Sequence, residues 1–227
     1  FGKDELSAYY SYYGRDNVRF LDASGDEKRH VFDGRFAGKW QQLDWDLEAM
    51  GQLGTVGAKD IRAWGVGARA GYTFEQTSWQ PRIGLQFDAA SGDHHPGDNV
   101  IGTFNPLFPN GYYFTLAGFT GYTNLIHLKP SLTVKPIQGL SIMAAAGLQW
   151  RETTADAIYV QPNIPVANTA GTGSAWSGVY AQLRVDYQFD AHLTGAIEAV
   201  HYKVGDTILR AGGHDSDYLG IELKYAL

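Results

Sequence analysis

Several stretches of the chain alternate between apolar and polar residues, and basic side chains on their polar faces could line a path for an anionic solute. Arg35, Arg69, Lys129 and Arg184 fall near the middle of such stretches, and Arg82 falls nearer to one end. A guanidinium binds a carboxylate through two parallel hydrogen bonds. A ladder of these cations is therefore suited to a polyuronate or another anionic solute, and we expect all five side chains to line a pore.

Acidic side chains occupy the same alternating face as these cations. The pattern places Asp46, Glu48, Glu198 and Glu222 there, where we expect them to tune the electric field and to hold the arginines extended. The two signs nearly balance, so a second interpretation stays open. In that interpretation the charges pair with one another and form a salt-bridged interior that holds no solute.

The sequence offers little for catalysis or cofactor binding. It has no cysteine, no G-x-S-x-G motif, no phosphate-binding loop and no zinc signature. His94 and His95 are adjacent, so their side chains point apart in an extended chain. We therefore predict no catalytic residue, no metal site and no cofactor, and the net charge of −6 argues against a nucleic-acid partner.

Strict alternation of apolar and polar residues identifies the elements that carry these charges. In the stretch VYAQLRVDYQF, residues 179–189, Leu183 and Val185 oppose Gln182, Arg184 and Asp186. A helix would scatter these residues around its axis, whereas a strand separates them onto two faces. A charge facing lipid at mid-membrane costs about 2–4 kcal/mol, so the charged face must be wet or internally paired.

We count about ten such strands, several of them as long as the roughly 9–11 residues that cross a membrane. The connections alternate between short turns and long loops at 14–28, 52–59, 91–123, 152–175 and 205–216. Short periplasmic turns and long extracellular loops are typical of outer-membrane barrels. The pattern predicts an all-β, antiparallel transmembrane β-barrel, a single domain over residues 1–227 with periplasmic termini. A soluble β-sandwich, whose strands also alternate, is the competing fold.

The chain closes with an apolar stripe at Leu219, Ile221, Leu223, Tyr225 and Leu227. Such a stripe is typical of the last strand of a barrel, which leaves no edge free in lipid. We expect this strand to be read by the outer-membrane assembly machinery, and the barrel to contact the lipid bilayer and lipopolysaccharide.

Several stretches resemble the alginate export family of bacterial outer-membrane barrels. They are SGDHHPGDNVIGTFNPLFPNGYYF, TNLIHLKPSLTVKP, DLEAMGQLG, IRAWGVGARAGYTF and TADAIYVQP. The resemblance runs from about residue 29 to the end of the chain. It implies a barrel of about eighteen strands, of which this sequence resembles the C-terminal portion. The family's C-terminal Phe is replaced here by Leu227.

The resemblance implies an outer-membrane porin or channel, rather than an enzyme, for passive passage of anionic saccharides or small carboxylates. Two alternatives stay open. One is an outer-membrane barrel enzyme of the protease or acyltransferase type, and the other is a small filled barrel or engineered fragment that does not conduct.

The loop at 91–123 is longer than a hairpin needs and is rich in aromatic residues. Exposed apolar patches are uncommon, so we expect this loop to be ordered and to fold against the mouth or inner wall of the barrel. There it would constrict the pore through Phe104, Asn105, Phe108, Asn110, Tyr112 and Tyr113. An alternative is that these aromatics only extend the strands into the outer membrane interface, where Tyr and Trp are common.

Overall fold

A computed structural model describes residues 4–107 and 113–226. Within them the regular secondary structure is almost wholly β-strand. The strands are β1 Glu5–Arg19, β2 Ser24–Trp40, β3 Leu43–Val56, β4 Lys59–Thr73, β5 Arg82–Ala90, β6 Val100–Ile101, β7 Leu125–Val134, β8 Leu140–Trp150, β9 Tyr159–Val160, β10 Ile164–Pro165, β11 Trp176–Gln188, β12 Leu193–Val204 and β13 Ser216–Tyr225, and the helix α1 spans Asp206–Arg210.

The ten long strands form one antiparallel sheet in the order β1-β2-β3-β4-β5-β7-β8-β11-β12-β13, in which each strand pairs with the next long strand along the chain. This meander confirms the all-β sheet of about ten strands. The short β6 pairs in parallel with β4, while β9 and β10 form a separate hairpin. None of the helices in the described ranges is long and apolar enough to cross a membrane.

The two faces of the sheet differ as the alternation predicts. On β11, the outward Leu183 is 49% exposed, whereas its neighbour Gln182 is 5% exposed and faces inward. The same contrast between outward and inward residues recurs along the chain, because cross-strand register keeps side chains of equal parity on one face. Large apolar side chains therefore cover the outer face, as a surface in contact with lipid requires.

Three connections at one end of the sheet, which we call the loop end, are long: 91–124, 151–175 and 205–215. The long connections predicted at 14–28 and 52–59 are wrong. The polar residues Arg15, Asp16 and Asn17 continue β1, whose ladder with β2 is shifted between Arg15 and Val18. Only tight turns at 20–23 and 57–58 remain there, since polar residues extend these strands beyond the apolar band.

The inner face is concave and its loop end is filled. The loop between β5 and β7 contacts strands from β2 to β12, which is possible only if the sheet curls around it. Two apolar clusters occupy this end, one around Val56, Ile61 and Phe104 and the other around Tyr180 and Tyr202. The loop-end core therefore holds the long loops against the sheet.

Candidate functional site

The loop between β5 and β7, which we call the inner loop, is fixed to the sheet at its start. The hydroxyl of Ser91 donates a hydrogen bond to the carbonyl of Gly102 and accepts one from the amide of Trp64. Asn105 exchanges backbone hydrogen bonds of 2.6 and 3.0 Å with the buried side chain of Gln52. Asn105 therefore lies on the inner wall, as predicted for a loop that folds into the lumen.

Two glycines of β4 make room for the aromatic residues of the inner loop. A Cβ atom on Gly65 would lie 3.1 Å from the ring of Phe104. One on Gly67 would lie 2.7 Å from the hydroxyl of Tyr113, closer than real Cβ contacts allow. The flat wall lets the Tyr113 hydroxyl donate to Asp88 at 2.7 Å. Phe104 and Tyr113 thus pack where predicted, whereas Phe108, Asn110 and Tyr112 lie outside the described residues.

The second half of the inner loop crosses to the opposite strands. The carbonyl of Phe114 accepts a 2.7 Å hydrogen bond from Lys129 on β7, and the amide of Leu116 donates to Glu198 on β12 at 2.6 Å. The ring of Phe114 packs edge-on against His127, with 4.4 Å between centroids. These contacts hold the described parts of the loop across the lumen at about mid-depth of the strands.

The next long loop, 151–175, is gathered around one buried side chain. Arg151 donates to the carbonyls of Thr154, Asp156, Thr169, Thr172 and Ser174. Asp156 in turn accepts from the inner loop, from the amide of Asp93 and the hydroxyl of Thr103. The two long loops are therefore fastened to each other as well as to the sheet, and Arg151 has a structural position.

The inner loop separates two compartments of similar size. One, of about 430 Å³, lies towards β1–β5 and is lined by Glu48, Asp88 and mainly apolar or aromatic groups. The other, of about 450 Å³, lies towards β7–β13 and is lined by four cations and two carboxylates. We call them the acidic and the basic compartment. The basic compartment is lined by the charged residues Arg69, Lys129, Arg184, Lys224, Glu198 and Glu222.

Three of the five predicted cations are paired with carboxylates. Arg35 binds Asp46 through two hydrogen bonds of 2.7 and 3.1 Å, and Arg82 binds Asp44 in the same bidentate way. Arg184 contacts Asp186, Glu198 and Glu222 at 2.8, 3.4 and 3.1 Å. For these residues the salt-bridged interpretation describes the geometry.

The remaining two cations differ from these three. Among the described residues, Arg69 and Lys129 form no ion pair with a carboxylate. Arg69 lies over the ring of Tyr113, 4.3 Å from its centroid, and its Nε is buried without a hydrogen-bond partner. Lys129 is 7% exposed and donates to a peptide carbonyl rather than to an acid. Both therefore present uncompensated positive charge at the inner loop.

One diagonal ion pair explains why these charges are left over. Arg35 lies directly opposite Glu48, and Asp46 lies directly opposite Arg69. Directly opposed residues on one face are the nearest potential partners. Arg35 instead forms its bidentate ion pair with Asp46. Glu48 therefore lacks an ion pair with Arg35, and Arg69 lacks one with Asp46.

On the acidic side, Asp33 and Glu48 are diagonal neighbours on the inner face, because Asp33 lies directly opposite Met50 and Glu48 precedes Met50 by two residues on the same face of β3. Neither forms an ion pair within the described ranges, and Asp33 Oδ2 is buried without a hydrogen-bond partner. Asp88 is by contrast well satisfied, since it contacts Tyr113, Gln86 and His127. Asp33 and Asp88 lie on the same face of the sheet as Arg35 and Lys129, because residues of equal parity share one face.

Burial also fixes the protonation of the tyrosines in the inner loop. Burial, followed by the charge of Asp88 and the hydrogen bond to it, raises the pKa of Tyr113 well above its ordinary value. Burial likewise raises the pKa of Tyr122 to about 12. Tyr113 consequently keeps the proton that it donates to Asp88 at neutral pH. The order Gly67, Asp88, Tyr113 in the chain gave no signal of this contact, because it joins segments 21–46 residues apart.

The chain was compared with protein-family models, solved structures and curated proteins. The family model described as alginate export matches residues 1–222. Among solved structures, the chain is similar to one titled "NanC porin structure in rhombohedral crystal form", with 10% identity, a TM-score of 0.44 and 99% of each chain covered. A search of curated proteins found no match.

Proposed function

Since the chain belongs to the alginate export family of bacterial outer-membrane β-barrels, we propose that it contributes to a constricted channel through which anionic saccharides or small carboxylates diffuse. The long loops would face the outside of the cell and the termini the periplasm. The lipid bilayer and lipopolysaccharide would contact the outer face, and the assembly machinery would read β13 at the chain's end.

The observation that carries this proposal is the pair of uncompensated cations, Arg69 and Lys129. They lie in register on β4 and β7, with Gln86 of β5 between them. A carboxylate that reaches the basic compartment would find donors that no protein carboxylate occupies. Arg69 offers a planar fork and Lys129 a compact charge, and an amide between them can bind hydroxyl groups of a sugar.

The paired cations have a different part in this proposal. Arg184 is held among three carboxylates, so an incoming anion would have to compete with them. Arg35 and Arg82 are likewise satisfied by Asp46 and Asp44. We therefore assign solute contact to Arg69 and Lys129, and maintenance of the wall to Arg35, Arg82 and Arg184 with Asp46, Glu198 and Glu222.

The test is the flux of an oligouronate relative to a neutral oligosaccharide of equal length, measured in vesicles or planar bilayers. Replacing Arg69 and Lys129 together by Met should lower this ratio by about 5–10-fold, which corresponds to roughly 1–1.4 kcal/mol. Arg62→Met is the matched control, because it removes one cation from the outward face of the same strand, β4. An unchanged ratio in a folded double variant would contradict the proposal.

A further inference from the structure

The acidic compartment has a chemistry that anion passage does not use. Its wall carries Glu48 and Asp88, and Asp33 lies between the liners Tyr9 and Glu48, since Tyr9 and Asp33 are directly opposed on β1 and β2. Two adjoining carboxyl groups repel each other unless a positive group or a proton lies between them. Asp33 and Glu48 have no cationic side chain paired with them in the part of the chain that the structure describes.

The rest of this compartment is aromatic and apolar. The rings of Phe104, Tyr113, Phe114 and Tyr122 line the side formed by the inner loop, and Val31 and Met50 line the sheet side. The face of an aromatic ring attracts a cation, and a volume of about 430 Å³ is large enough for a small organic molecule.

These features favour an organic cation over a metal ion. Ca²⁺ takes six to eight oxygen ligands, and the described residues contain no group of three or more His, Cys, Asp or Glu placed to hold a metal. From the adjoining carboxyl groups and the aromatic walls, we propose that the acidic compartment binds a small organic ammonium ion with an apolar body. Its ammonium group lies at Asp33 and Glu48, and its apolar part lies against Phe104 and Tyr122. This site is separate from the path assigned to anions.

The compartment's position gives such binding a consequence for the channel. Tyr113 is shared by the two compartments, because it lines both and stacks on Arg69. A bound ammonium ion would therefore contact the same loop that shapes the basic side, without touching Arg69 or Lys129.

The test uses the full chain refolded in detergent micelles and 2-phenylethylammonium as the probe, with 2-phenylethanol as its neutral counterpart. Binding measured by calorimetry or ligand-observed NMR should be saturable, and the ammonium ion should bind at least about tenfold more tightly than the alcohol. Glu48→Gln and Asp33→Asn, made singly, should each weaken binding of the ammonium ion by about fivefold or more. Asp60→Asn removes one carboxylate at an exposed position of β4 and should leave binding unchanged.

Three results would overturn the proposal. They are equal affinity for the alcohol and the ammonium ion, unchanged binding in both folded carboxamide variants, and displacement of the probe by millimolar Ca²⁺. The first would indicate an apolar cavity only, and the third a metal site. None of these results depends on the oligouronate flux, so this proposal and the anion path can fail separately.

Discussion

The two compartments of the lumen are built on one sheet and differ in volume by only about 20 Å³, yet their walls have opposite charge. On the acidic side Asp33 and Glu48 lack a cationic partner, and on the basic side Arg69 and Lys129 lack an acidic one, within the described residues. Arg35, Arg82 and Arg184, which also lie on the inner face, are paired with carboxylates. The comparison teaches that, among these charges, the unpaired ones lie in the strip where the inner loop contacts the sheet.

The reason for this confinement is competition for neighbours. On the basic side, groups of the inner loop take the place of acidic side chains. The carbonyl of Phe114 accepts a hydrogen bond from Lys129, and the ring of Tyr113 stacks on Arg69. On the acidic side, Arg35 binds Asp46 instead of the directly opposed Glu48. The charge separation thus depends on the inner loop and on one diagonal ion pair, and both can be altered.

The largest effect should come from removing the part of the inner loop that separates the two compartments. Deleting residues 103–116 removes the contacts of Asn105, Tyr113 and Phe114 with the sheet, so the two compartments should merge. We expect single-channel conductance in planar bilayers to rise several-fold. A Gly-Ser segment of equal length is the control for chain length, and it should raise conductance as well, because it lacks those contacts. An unchanged current in a folded deletion variant would remove the loop from the constriction.

Paired and unpaired cations should respond differently to loss of charge. Arg184→Met leaves the 1%-exposed Glu198 without its cation and leaves Glu222 with Lys224 alone, so the free energy of unfolding should fall by roughly 1–3 kcal/mol. Lys129→Met should change anion selectivity more than stability. Urea titrations of both variants in detergent test this, and equal loss of stability would show that Lys129 is structural.

A smaller packing effect should follow from Gly67→Val. The added atoms would overlap the hydroxyl of Tyr113, so the loop must shift and break the bond to Asp88. We expect about 1–2 kcal/mol of destabilisation together with increased conductance. Gly51→Val on β3 is the matched control, since a Cβ there meets no atom within 4 Å. Similar behaviour of the two variants would contradict a role for Gly67 in admitting Tyr113.

The diagonal ion pair can be exchanged with a modest effect. In Asp46→Asn, Arg35 loses its bidentate partner and can turn to Glu48 directly opposite. The acidic wall should then be partly neutralised, and permeation of small cations relative to anions should fall by about two- to threefold. Reversal potentials in a salt gradient measure this ratio. A ratio that rises or stays constant would show that Glu48 is not released by the Arg35–Asp46 pair.

The smallest effect concerns a carboxyl at the loop end, away from both compartments. Burial, and then the charges of Asp156, Asp22 and Asp98, raise the pKa of Asp93 above its ordinary value, although the amide of His95 opposes the shift. The folded protein therefore holds this proton more tightly than the unfolded chain, and stability falls as pH rises through the raised pKa.

Asp93→Asn keeps an oxygen for the His95 amide and removes that ionisation. Relative to the wild type, the variant should gain stability between about pH 4 and about pH 7, a window that starts near the ordinary carboxyl pKa. Urea midpoints at the two pH values give this difference. The same stability difference at both values would contradict the raised pKa.

Much of the architecture could be predicted from the sequence. Alternation in stretches such as 179–189 gave the strands, their inner and outer faces and the inward position of all five predicted cations. The aromatic content of 91–123 predicted a loop packed against the inner wall, where Phe104, Asn105 and Tyr113 lie. Polar residues at the loop end were misinterpreted, because Arg15 and Asn17 extend a strand although their composition is typical of a turn.

The sequence by itself determined which side chains share the inner face, since a period of two is a local property of an extended chain. Only the tertiary structure decided which of those charges are neutralised. Lys129, Arg69 and Asp88 each bind a group of the inner loop that lies 15 to 44 residues away along the chain. The choice of Arg35 between Asp46 and Glu48 depends on side-chain geometry across strands. Pairing is a matter of a few ångströms in space, and a linear pattern carries no such distances.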